Sequence, residues 1–178
     1  MPIITGIMDL PKGLKMTSSL ITISEGLTES AANTFTSEKV DLQLNPLDNE
    51  VFVVYAVNID SRPPDLERGV KTQTAVSVST TARTSVGSIA NNNVMASQTI
   101  ECINVDDTVA AFYEHSAGDT PSSLLPYVGI IATNDFFINI EGLGNTNAKV
   151  TSIRVYGVRA KAESSIYAAL VQSELLSA

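Results

Sequence analysis

One histidine (His115), one cysteine (Cys102) and no tryptophan occur in 178 residues. A metal-dependent enzyme of the cupin kind, on a jelly roll, needs about three imidazoles and a carboxylate converging inside the barrel, and a single histidine excludes it. The lone cysteine cannot close an intramolecular disulfide, so the fold owes nothing to an oxidising compartment. In TIECINV it alternates with Ile100 and Ile103 and reads as a small buried apolar residue. Positive charge is scarce as well. Eleven basic residues face nineteen acidic ones, for a net charge of −8. The basic residues do not cluster: Lys12 and Lys15 stand near the start, Arg154, Arg159 and Lys161 near the end. Binding nucleic acid requires many cations in one place, and a polybasic membrane patch needs the same, so neither is expected. No run approaches the roughly 20 apolar residues that span a bilayer. MPIITGIMDLPKGL has no positive region ahead of its apolar stretch and no small-residue cleavage site, so it is not read as a signal peptide.

What is present is strand-like alternation, almost from end to end. Residues 1–16 carry Pro2, Gly6, Pro11 and Gly13 among aliphatics, a mix that resists both helix and ladder, and are read as an extended arm. Ile3, Ile4, Ile7, Met8 and Leu10 give that arm something to dock with. Short strands are expected at 19–23, 40–44, 51–59, 70–81, 95–105, 109–113, 128–133, 136–140 and 150–160, with a weaker one at 85–90. Residues 51–59 (VFVVYAVNI) are apolar on both parities and should form a central strand covered on two faces. Residues 70–81 (VKTQTAVSVSTT) read instead as a strand with one wet face. Segment 163–178 departs from the period of two. SSIYAALVQSELL has good helix formers, Ser164 or Ser165 at a plausible N-cap, and helical spacing through Tyr167, Leu170, Val171 and Glu174. Eight to ten short strands without interleaved helices argue for two antiparallel sheets packed face to face. Unequal connections favour a jelly roll over an immunoglobulin-like sandwich. Three parts result: arm 1–16, sandwich 17–162, and helix or arm 163–178.

Chemistry-bearing residues are few enough to weigh singly. A Ser-His-Asp arrangement on His115 would draw its carboxylate from Asp106, Asp107 or Asp119. No G-x-S-x-G elbow exists, and a strand-end histidine is the better reading. Asp106–Asp107, Asn134–Asp135 and Asp119 are candidate calcium ligands. No EF-hand spacing is present, and solvated turn carboxylates account for them. Gly142-x-Gly144 lacks the lysine and helix of a phosphate loop. Thr72, Thr74, Ser77, Ser79, Thr80 and Thr81 would form a polar strand surface, a sugar-binding face being the sharper alternative. Only Tyr113 and Tyr127 are placed to stack on a sugar ring.

Two segments carry a resemblance. One is Glu29-Ser30-Ala31-Ala32-Asn33-Thr34-Phe35-Thr36 leading into the strands at 40–44 and 51–59. The other is Phe136-Phe137-Ile138-Asn139-Ile140-Glu141-Gly142, an Asn/Thr turn, then Ser152 to Lys161 (SIRVYGVRAK). Together, over about half of the chain, they resemble structural proteins of tailless marine viruses, including those of archaea, whose shells are built from single jelly rolls. The resemblance implies a virion structural protein: a non-enzymatic, cofactor-free capsid subunit that assembles with copies of itself and other virion proteins. The chain departs from many small RNA-virus jelly rolls in lacking a basic N-terminal arm, which implies a shell around a genome handled by other proteins. Open sheet edges must be blocked or used, and copies related by closed symmetry would use them. Ile3, Ile4, Ile7 and Leu10 of the arm, with Tyr167, Leu170 and Val171 of the terminal segment, are the expected subunit contacts. The competing expectation is a host-attachment or carbohydrate-binding module, such as a trimeric spike. A hydrolase ranks last.

Overall fold

The structure is a computed structural model and describes residues 10–106, 108–117 and 125–177. Among these residues ten strands and one α-helix follow in order, with a single 3-10 turn at Pro46–Asp48: β1 (Leu14–Met16), β2 (Ile21–Thr28), β3 (Thr36–Asp41), β4 (Glu50–Ser61), β5 (Lys71–Ser79), β6 (Val94–Asp106), β7 (Val109–Ala117), β8 (Gly129–Ile131), β9 (Asp135–Leu143), β10 (Val150–Ala162) and α1 (Ser164–Leu176). The first sheet runs β10-β4-β8, with β1 and β2 both pairing the remaining edge of β10. The second runs β3-β9-β5-β6-β7. All pairings are antiparallel.

The pairings nest. β2 lies against β10, β3 against β9, β4 against β8, and β5 against β6. A single long antiparallel ribbon rolled up so that successive rungs alternate between two sheets gives this order, which is that of a jelly roll. β7 is an addition to the roll, extending the second sheet by one strand. The chain is therefore an all-β sandwich closed by one short helix.

Between the sheets lie Phe52, Val54, Val57 and Ile59 of β4, Val76 and Val78 of β5, Phe136, Ile138 and Ile140 of β9, and Ile153 and Val155 of β10. Inward residues of β4 change parity along the strand because of a bulge. Tyr156 pairs Ala56 but Gly157 pairs Val54, leaving Tyr55 as the extra residue. Beyond the bulge Val51 and Val53 point outward, together with Val158, Ala160 and Ala162 of β10. This second apolar face is covered by Leu10, Leu14, Ile166, Tyr167, Leu170 and Val171. Residues 51–54 are thus buried on both faces, as the composition indicated, whereas on the C-terminal side of the bulge the outer face carries half-buried Ala56 and exposed Asn58.

Several expectations need correction. The first sheet begins at Leu14, inside the stretch read as arm. Leu42 and Leu44 are buried as expected but lie past the end of β3. Gln43 turns into the left-handed region (φ 52°), and the amides of Leu42 and Leu44 donate to the backbone carbonyl and side chain of Asn134. Residues 85–90 form no strand; segment 80–93 crosses the outer face of the second sheet, where Gly87 N–H donates to Ser77 Oγ at 3.1 Å. Helix α1 is N-capped by Glu163, without a side-chain capping bond, instead of by Ser164 or Ser165.

Candidate assembly surfaces

Threonines and serines of β5 are not a polar surface. Thr72 and Thr74 face inward with Val76 and Val78, and Ser77 and Ser79 lie under segment 80–93, all four with no exposed area. Thr80 and Thr81 are buried too. Asn139 explains the outer pair. Its Nδ2 donates to Ser79 Oγ at 3.0 Å and to Ser77, while its Oδ1 accepts from Ser37 Oγ at 2.8 Å. Of the inner pair, Thr72 Oγ1 donates to the Asp65 carbonyl and Thr74 Oγ1 has no partner; small hydroxyls bury at little cost where one is found, and hydropathy alone cannot register that.

At one end of the sandwich the β2–β3, β4–β5 and β9–β10 loops are locked by a second polar cluster. Glu29, buried, accepts from the amides of Thr34, Gly142 and Lys149. Asn145 donates to the carbonyl of Gln73, accepts from Asp65 N–H, and exchanges two bonds with Asn33. The buried Lys149 ammonium pairs with Asp65. Chiefly through that hydrogen bond, the Asp65 carboxyl is held below its ordinary value despite some burial. Every strong donor and acceptor here is consumed by a neighbour, which makes the cluster a clamp.

The residues considered for chemistry do not converge. His115 stands exposed on β7 opposite Thr99, whereas Asp106 closes the β6–β7 turn at the other end of that strand. Asp106 Oδ1 accepts from the hydroxyl and amide of Thr108 and the amide of Val109, and these bonds hold its carboxyl low. Asp107 and Asp119 lie outside the described residues. Asn134 caps the end of β3, and Asp135 faces Lys39 at 3.8 Å. Among the described residues no three His, Cys, Asp or Glu side chains come together as a metal site, and no helix is long and apolar enough to cross a membrane. Tyr113 is exposed, but Tyr127 packs on the outer face of the first sheet.

Of the expected subunit contacts, Ile3, Ile4 and Ile7 lie outside the described residues. Leu10, Tyr167, Leu170 and Val171 are half-buried against their own first sheet. One flank of α1 is different. Leu175 and Leu176 are 66% and 78% exposed and, with Tyr167, Ala168 and Val171, line a shallow apolar groove. Glu174 pins the helix: buried, it accepts the amides of Ala132 and Thr133 at 3.0 and 2.9 Å on Oε2. Its Oε1 has no hydrogen-bond partner, and burial pushes its carboxyl above the usual range.

The second apolar surface is the β6–β7 edge, which the sequence reading passed over. Phe112 and Glu114 point to the same side as the core, yet they are exposed, so the first sheet does not reach over β7. Val105, Val109, Phe112 and Tyr113 are each at least half exposed. Apolar residues on both parities beside Glu114-His115 (VAAFYEH) were the available signal. A strand covered on one face would not carry them on the other.

No protein family matches the chain, and no curated protein matches it. Among solved structures, a chain of Desmodium yellow mottle tymovirus is similar over 88% of this chain and 96% of its own, at 10% identity and a TM-score of 0.34. A chain from the empty head of turnip yellow mosaic virus is similar over 87% and 86%, at 12% identity and a TM-score of 0.32. The jelly-roll assignment stands on this chain's own strand order.

Proposed function

We propose that the chain is a virion structural protein, a non-enzymatic capsid subunit that builds a shell with copies of itself. The observation that carries this reading is the division of its surface. Charged and polar clusters are used up inside the chain in hydrogen bonds that stiffen the loops, while exposed apolar side chains gather at a sheet edge that no described strand pairs and on one flank of α1. A rigid body with sticky edges and, among the described residues, no converging reactive groups suits repeated contact with like bodies better than turnover of a small molecule. The resemblance of segments 29–36, 136–142 and 152–161 to viral shell proteins points the same way.

Sedimentation and negative-stain imaging of the purified chain across salt and divalent-ion conditions test the reading. Capsomers or closed particles are expected. A monomer under every condition would overturn it. A small stable trimer that binds arrayed glycans would replace it with the attachment-module reading, and a turnover abolished by His115→Ala with a hydrolase.

A further inference from the structure

We infer that β7 is a subunit interface, at which two copies of this chain pair their β7 strands antiparallel about a two-fold axis through Tyr113. This inference rests on the self-assembly reading and names one of its contacts. β7 is the last strand of the second sheet, and among the described residues nothing pairs with its outer edge. An exposed strand edge is a template for another strand, and natural proteins guard such edges with lysine, proline, bulges or a covering element. Among the described residues no element covers β7, and the one charged guard on it is Glu114, whose carboxylate is already engaged by Gln98 and Ser116. The nine residues of β7, VAAFYEHSA, contain no lysine and no proline, and the register with β6 is unbroken from Ala110 to Ala117. The opposite edge of that sheet, β3, carries Glu38, Lys39 and Asp41 in six residues and is guarded by them.

A second copy fits this edge for three reasons. Charge is the first. A chain of net charge −8 repels its copies over most of its surface, and β7 offers a nearly neutral strip in which Glu114 is the one acid. That carboxylate already accepts from Gln98 Nε2 at 2.8 Å and Ser116 Oγ at 3.1 Å. Register is the second. Antiparallel pairing about a two-fold axis sets a residue opposite its own copy, and centring on Tyr113 pairs all nine residues. Glu114 then lies opposite Phe112, whereas centring one residue later would set Glu114 against itself, which is destabilising. Aromatic content is the third. The two exposed aromatics of the strand stand at its middle, so the axis brings Tyr113 opposite its copy and Phe112 diagonal to its copy, within reach for aromatic pairs. Two five-stranded sheets would become one of ten. A strip about 30 Å long and about 10 Å wide buries roughly 600 Å² in total, below the roughly 1,600 Å² of a standard interface. The contact is therefore weak alone and gains strength where several contacts act together in an assembly.

Two variants test it. Tyr113→Lys sets two ammonium groups face to face across the axis, but within one chain it lies opposite Glu101, a favourable neighbour, so the fold is retained. Its concentration for half-assembly should rise at least about tenfold, and the β7 amides should lose the protection from hydrogen exchange that assembly confers. In a Cys102→Ser background, Tyr113→Cys should give a disulfide-linked dimer under mild oxidation, because directly opposed residues lie within disulfide range. Val109→Cys, which pairs with Ala117 of the other copy, should not link to itself. Particles from Tyr113→Lys at the wild-type concentration, or equal cross-linking at 109 and 113, would overturn the β7 contact and leave the shell reading standing. A wild-type chain that never leaves 18.9 kDa would overturn both.

Discussion

Gly157 shows how one residue makes the central strand pair possible. A Cβ placed there would lie 2.5 Å from both Phe52 Cε1 and the Val53 carbonyl oxygen. Phe52 can turn aside only into a filled core, and the carbonyl belongs to the ladder and cannot move alone. The Gly157→Ala variant should therefore lose about 1–3 kcal/mol, read as a melting temperature lower by about 2–4 °C per kcal/mol. At the loop clamp the decisive residue is Asp65. Removing its charge by Asp65→Asn leaves the Lys149 ammonium buried without a counter-ion, at a cost of about 1–3 kcal/mol in denaturant titration at neutral pH. Because the folded carboxyl titrates below its ordinary value of 3.8, the wild-type advantage should be complete above that value. It should disappear as pH falls through the folded pKa, where both chains carry a neutral group. A variant gap unchanged down to pH 2 would show that Asp65 acts through something other than its charge.

At the scale of elements, α1 is held by a single buried carboxylate in addition to its apolar face. Burial raises the Glu174 pKa above the ordinary 4.5, with the charge of Asp135 adding to the effect. Between 4.5 and the raised value the folded chain keeps a proton that the unfolded chain has released, so stability falls as pH rises through that window. The Glu174→Gln variant, which can still accept from Ala132 and Thr133, should not show this slope. Thermal unfolding of both proteins from pH 4 to pH 7 should converge at the acid end and separate towards neutrality in favour of the variant. The same element marks how far the sequence could be read. Its existence, and its need to pack, followed from the change of period at 163 and from Tyr167, Leu170 and Val171. Its seat did not, because the face it covers exists only by virtue of the bulge at Tyr55. In VFVVYAVNI only Asn58 is plainly polar, and no alternation records where the inward parity switches. Segment 70–81 failed for the opposite reason. Thr72, Thr74, Ser77 and Ser79 look wet by composition, but Asn139, some sixty residues away in sequence, completes the hydrogen bonds that let the outer pair be buried. The β7 strand was legible as a strand and not as an edge, since periodicity describes a strand's faces and says nothing about its neighbours.

For the whole molecule, charge and apolar edges oppose each other, and ionic strength decides between them. Each copy carries −8 at neutral pH, so bringing copies together costs repulsion that accumulates with every added subunit. The contacts that would offset it, the β7 strip and the apolar flank of α1, are largely apolar or made by backbone hydrogen bonds and respond little to screening. Raising salt from 0.1 M to 1 M shortens the screening length from about 10 Å to about 3 Å, which removes most of the repulsion between exposed charges on neighbouring copies. Assembly followed by light scattering should accordingly begin at a lower protein concentration in 1 M than in 0.1 M sodium chloride. Tyr113→Lys should narrow its deficit against wild type over the same range, because part of its defect is the repulsion of two exposed ammonium groups. If salt instead dissolved the assemblies, the contacts would have to be ion pairs between copies. The apolar edge would then be a bystander, and attention would pass to the charged strands at the opposite side of the roll, above all Glu38, Lys39 and Asp41 of β3.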